Sequence, residues 1–139
     1  MDRLSPEKRS WLMSRVTSKN TSPELTVRVV LHRMGYRFRL HEQRLRGKPD
    51  IVFSKKKKVI FVHGCFWHGH VGCRLGRLPR SNLDFWAPKI ERTRVRDQET
   101  ISALEADGWQ PLVIWQCELK DLDALTKRLT TFLGAARSQ

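Results

Sequence analysis

After Val62 the chain reads His63-Gly64-Cys65-Phe66-Trp67-His68-Gly69-His70-Val71-Gly72-Cys73, with two cysteines and three histidines in eleven residues. This loop has few core-forming residues of its own, so hydrophobic packing alone cannot order it. Cys65, His70 and Cys73 have the spacing of short-loop metal ligands, and Cys117, further along, supplies a fourth. A Cys3His set closes a tetrahedron of soft and borderline donors, which suits structural Zn²⁺. Such a site contributes on the order of 10 kcal/mol of apparent folding free energy. The competing reading is a pair of buried apolar cysteines with surface histidines. Spacing does not separate His68 from His70, because residues two apart share a side in an extended loop. Either can ligate, and the other is then free for acid–base work.

The rest of the composition narrows the setting. At 139 residues, 40% hydrophobic and 29% charged, the chain fits one globular domain spanning 1–139. No apolar run approaches the ~20 residues of a membrane span, so no membrane partner is expected. The start, MDRLSPEKRSW, lacks the apolar stretch of a secretory signal. Three cysteines, an odd number, argue against a disulfide framework and for a reducing cytoplasm, with nucleoid association in a bacterium. Lys and Arg number 27 against 14 Asp and Glu, a net charge of +13. Such an excess favours nucleic acid as the partner. The basic residues do not form one amphipathic helix, which disfavours a membrane surface.

Periodicity and punctuation predict the order ααβββαβα. Ser5-Pro6-Glu7 and Ser22-Pro23-Glu24 each give an N-cap serine, a proline at N1 and an acid in the first turn. The first helix should run to about Val16, and residues 1–20 are expected to form a helix or arm that contacts DNA. The second should run to Met34 and stop at Gly35. Strands are expected over Tyr36–Leu40, Asp50–Phe53 and Val59–Val62 as an antiparallel meander, its last turn made by Ser54 and four lysines. A long helix from about Phe85 to Asp107 ends at Gly108. A strand over Gln110–Trp115 can join the sheet parallel to a neighbour, and a helix over Asp121–Leu133 closes the chain.

A second constellation is Gly47-Lys48-Pro49-Asp50, opening a strand, with Glu24 on the preceding helix. A carboxylate at a strand start near a helix acid offers hard oxygen ligands to Mg²⁺. Pro-Asp pairs are also common in turns, and Glu24 serves any helix N-terminus.

These residues together carry a resemblance. Arg46 to Asp50, Val59 to His68, Phe85-Trp86 and Trp115-Gln116-Cys117 strongly resemble the very short patch repair endonucleases, in order and over nearly the whole chain. The resemblance implies a PD-(D/E)XK, restriction-endonuclease-like fold: a central mixed sheet flanked by helices, with a structural zinc site. It implies duplex DNA carrying a T·G mismatch as the partner, nicked on the 5′ side of the thymine. Mismatch-repair proteins are candidate partners, and a monomer is expected. By position, Asp50 is the Mg²⁺ carboxylate and Val62, where the family often has threonine, gives its backbone carbonyl. The usual acid and lysine of that fold are missing, since positions 62 and 64 are Val and Gly. His68 matches the histidine thought to activate water, and His63 and Glu24 match further active-site positions. Cys65, His70, Cys73 and Cys117 match the zinc ligands, with Val71 and Gly72 standing where the best-known member has a single residue. Phe66, Trp67 and Trp86 match residues that wedge between base pairs.

Two alternatives remain at this level. A restriction-like or general nicking enzyme of the same fold would share the cluster without mismatch specificity. A non-catalytic, zinc-bound DNA-binding module would give Asp50, His68 and Glu24 no reason to coincide.

Overall fold

The computed structural model describes residues 23–134. The expected helix at Ser5–Val16, its linker and the cap at Ser22 lie outside the described residues. The described chain forms α1 (Pro23–Arg33), β1 (Arg39–Leu40), β2 (Ile51–Phe53), β3 (Lys58–His63), a 3₁₀ turn (Arg74–Gly76), α2 (Leu83–Ala106), β4 (Gln110–Trp115), a second 3₁₀ turn (Gln116–Lys120) and α3 (Leu122–Leu133). The sheet order is β1-β2-β3-β4. The first three strands are antiparallel neighbours, and β4 pairs parallel to β3. This is the mixed α/β architecture expected from the sequence.

Alternation along the strands divides the core into two layers. Ile51, Phe53, Ile60 and Ile114 face Val27, Val30 and Leu31 of α1 and Leu125, Leu129 and Leu133 of α3. Val52, Val59 and Phe61 face the other way and pack with Leu104 of α2. Each fully buried aliphatic side chain contributes roughly 1.5–3 kcal/mol to the fold. The division matters for function, because the row Val59, Phe61, His63 continues toward α2 rather than toward α1 and α3.

Helix ends follow the sequence signals. Gly35 (φ 92°) and Gly108 (φ 88°) take the left-handed backbone after α1 and α2. The Asp121 side chain caps α3 by accepting the Ala124 N–H at 3.1 Å. The first strand is shorter than expected: only Arg39 and Leu40 join the ladder. Tyr36 and Phe38 instead anchor edge-on against Phe53 at 6.2 and 5.9 Å, and the Tyr36 hydroxyl donates to the Gly134 carbonyl. Their aromatic bulk is used in the core, so the backbone begins pairing only beyond them.

Candidate functional site

The end of β3 is where the chemistry gathers. His63 is buried, and its ring stacks on His68 with centroids 3.8 Å apart and planes 3° from parallel. Across from them α2 presents Asp97, whose Oδ2 lies 2.7 Å from His68 Nδ1 and 3.9 Å from His63 Nδ1. Only the first is a hydrogen bond. Burial and the neighbouring His68 push His63 down to about 4, with Asp97 pulling the other way. His63 is therefore uncharged at neutral pH.

Asp50 stands at the entry to β2 and accepts the Val62 N–H on Oδ2 at 2.7 Å. Burial holds its carboxyl above the usual carboxylate range. The Val62 N–H opposes that rise, Glu24 reinforces it, and His41 and His68 oppose it. One carboxylate oxygen is fixed by the backbone of the next strand, and Glu24 is close enough to share a ligand sphere: one ligand atom each from Glu24, His41 and Asp50 lie within 4.8 Å of one another. Asp50, Val62, His63, His68 and Asp97 line one cleft of about 230 Å³, rimmed by Lys48 and Arg96.

Gly47 sets the width of this cleft. Its φ is +77°, and a Cβ there would lie 2.3 Å from Thr100 Cγ2 of α2. Gly47→Ala is expected to cost roughly 1–3 kcal/mol through strain and overpacking, read as a lowered denaturant midpoint at unchanged slope.

The second cluster is held by the parallel strands. His63 pairs with Trp115 in register, so two residues further on Cys65 and Cys117 emerge side by side. The Cys117 N–H donates to Cys65 Sγ at 3.4 Å, and Cys117 Sγ is 3.5 Å from His70 Nδ1. Ligand atoms of Cys65, His70, Cys73 and Cys117 all lie within 4.8 Å of one another. The His70 ring stacks on Trp115 at 4.1 Å, while His68 turns away to Asp97. The two histidines that spacing left open thus part company. Burial pushes the Cys65 thiol up. Burial, reinforced by hydrogen bonding to Cys73 and Cys65, lifts Cys117 to about 12. Burial acts the same way on Cys73, but hydrogen bonds with His70, Leu75 and the other thiols outweigh it and leave Cys73 at about 6. Three crowded thiols resist ionising together, and a bound dication would remove that resistance.

An aromatic cluster joins the loop that carries His68 to the start of α2. Trp86 meets Phe66, Trp67 and Phe85 at 5.1, 5.6 and 4.9 Å, all edge-to-face. Trp67 and Phe85 are more than half exposed, and Lys89 Nζ lies 6.0 and 5.5 Å from their rings. An exposed cluster of this kind beside cationic side chains suits stacking against bases.

Sequence reasoning missed Asp97, His41 and Phe85 as members of these groups. Asp97 had a readable signal: Ile90, Asp97 and Leu104 are seven apart, so an acid sits on the buried stripe of α2. His41 follows a two-residue strand and had none.

The family description "DNA mismatch endonuclease Vsr" matches residues 1–74. The chain is 61% identical over 132 residues to the type II nicking enzyme V.XorIIP of Xanthomonas oryzae pv. oryzae, covering 95% of this chain and 96% of that one. It is 45% identical over 128 residues to the type II nicking enzyme V.NmeAIP of Neisseria meningitidis, covering 92% and 91%. It is 37% identical over 123 residues to the DNA mismatch endonuclease Vsr of Escherichia coli K12, covering 88% and 78%. Fold, cleft and family match together define a DNA-cleaving endonuclease. The chain belongs to the DNA mismatch endonuclease Vsr family, which carries the restriction-endonuclease-like fold. Among the described residues no helix is long and apolar enough to cross a membrane.

Proposed function

We propose that this chain is a Mg²⁺-dependent, strand-specific endonuclease that nicks duplex DNA 5′ of the thymine in a T·G mismatch and so starts very short patch repair of deaminated 5-methylcytosine. The observation that carries the reading is one loop with two tasks. His68 enters the cleft beside Asp50 and pairs with Asp97, while Phe66 and Trp67, just before it, join the exposed aromatic cluster.

Asp97 accepts the Nδ1–H of His68, which leaves Nε2 free to take a proton from water. The stacked, neutral His63 fixes the plane of the His68 ring without adding a competing charge. Asp50, the Val62 carbonyl and Glu24 fit Mg²⁺ as hard oxygen donors, and a cation held there supplies positive charge to the scissile phosphate. Lys48 and Arg96 bring further positive charge to the phosphate backbone. Residues 1–20 include Arg3, Lys8, Arg9, Arg15 and Lys19, and we assign them to phosphate contact on charge alone. Cys65, His70, Cys73 and Cys117 fit structural Zn²⁺, which ties the loop to the end of β4.

Phe66, Trp67 and Trp86 supply the wedge. Opening a base step costs about a few kcal/mol. A mismatched step is already weakly stacked, so insertion costs less there than at a paired step. Nicking of labelled duplexes with T·G, A·T or G·C at one position tests the specificity, and cleavage of T·G alone is expected. Equal nicking of all three would favour the general nicking enzyme.

Asp97→Asn tests the proton path. With the carboxylate gone, His68 loses the partner that fixes its tautomer. The single-turnover rate is expected to fall roughly 10²-fold with little change in DNA affinity. Asp97→Glu is expected to recover part of the rate, which a merely structural role for Asp97 would not give.

A further inference from the structure

His41 follows β1, next to Glu24 and Asp50, and none of the chemistry above uses it. Its place is fixed by the sheet. The pairs Arg39 with Val52 and Leu40 with Ile51 run straight on to His41 opposite Asp50, and the His41 N–H donates to the Asp50 carbonyl at 3.2 Å. There the backbone turns left-handed, with φ 49°. The turn sends the ring to α1, where Nε2 lies 2.6 Å from Glu24 Oε2. Glu24, His41 and Asp50 come from a helix, a turn and a strand entry, and offer one ligand atom each within 4.8 Å of one another. The His41 side chain is 55% exposed, which leaves room for water.

We infer that His41 is a further protein ligand of the cation held by Asp50, Glu24 and the Val62 carbonyl, and that this nitrogen makes the site prefer Mn²⁺ over Mg²⁺. The inference rests on the proposal that Asp50 holds the catalytic cation. Its physical basis is the donor set. Mg²⁺ prefers oxygen ligands and gives up water reluctantly. Imidazole suits ions further along the first transition row, and Mn²⁺ accepts mixed carboxylate and imidazole ligation. Oxygen donors alone would leave the two ions close in affinity. In the free protein the close contact of His41 with Glu24 holds the ring next to the carboxylate. On binding, the ion takes the place of that contact and of any proton it shares.

The test is metal binding to the full-length protein without DNA, followed by the loss of the free Mn²⁺ resonance signal and by Mg²⁺ competition. His41→Asn is the informative variant, because asparagine tolerates the left-handed backbone that His41 adopts, and an unchanged melting curve serves as the folding control. The wild type is expected to bind Mn²⁺ roughly tenfold or more tighter than Mg²⁺ and to show nitrogen hyperfine coupling on the bound Mn²⁺. His41→Asn is expected to lose that coupling and about tenfold in Mn²⁺ affinity, with Mg²⁺ affinity unchanged. Asp50→Asn should lose both ions. If His41→Asn keeps the coupling and the preference while Asp50→Asn loses both ions, the role of His41 is overturned and the site at Asp50 stands. If Asp50→Asn binds both ions as the wild type does, the underlying assignment of Asp50 fails instead.

Discussion

Asp50→Asn is expected to lower single-turnover nicking of a T·G duplex by roughly 10³-fold or more, with duplex binding retained. A catalytic cation supplies several kcal/mol of charge stabilisation in a phosphodiester transition state, and each ~1.4 kcal/mol is tenfold in rate. Asparagine is the informative replacement because its amide oxygen can still accept the Val62 N–H, which Asp50 receives at 2.7 Å. The entry to β2 therefore stays in place, and what is lost is the charge. Binding survives because removing a negative charge from a chain of net charge +13 does not weaken its attraction for phosphate. Rate and affinity measured on one preparation separate the two effects. An Asp50→Asn enzyme that nicks normally with Mg²⁺ would place the active site elsewhere.

With Zn²⁺ held by Cys65, His70, Cys73 and Cys117 as proposed, its removal is expected to unfold the protein near neutral pH. The binding free energy of a structural Zn²⁺ site is on the order of 10 kcal/mol, which matches the ~5–15 kcal/mol total stability of a small domain. The cluster joins the loop after β3 to the turn after β4, so its loss frees the segment that carries His68, Phe66 and Trp67. Cys117→Ser should lower zinc from about one ion per chain to a small fraction, with loss of the cooperative melt. Ligands are taken up deprotonated, so zinc should also be released as pH falls. Burial raises the Cys65 and Cys117 thiols, so their protons compete with the metal. Full zinc and full stability in Cys117→Ser would mean a different ligand set.

Much of the fold was legible because local rules govern it. Short apolar runs marked β2, β3 and β4, proline and acid marked the start of α1, and glycines marked the ends of α1 and α2. The first strand was overread because alternation does not distinguish a ladder from two aromatic anchors, and Tyr36 and Phe38 are the latter. The two chemical clusters were legible as residue types at short spacing: Cys65, His70 and Cys73 in one loop, His63 and His68 five apart, Asp50 after Pro49.

What only the tertiary structure decided is partnership across distance. Whether His68 or His70 joins the cysteines is undetermined in a loop whose direction is unknown. It is decided by α2, which offers Asp97 to His68, and by Trp115, against which His70 stacks. Cys117 reaches Cys65 because β3 and β4 run parallel in register, a pairing 52 residues apart in sequence. His41 meets Glu24 and Asp50 only through a ladder two residues long and one left-handed turn. Sequence periodicity reports which face a residue is on, since that depends on backbone geometry within one element. Which element then covers that face depends on how the helices and strands pack together, and no local pattern encodes that.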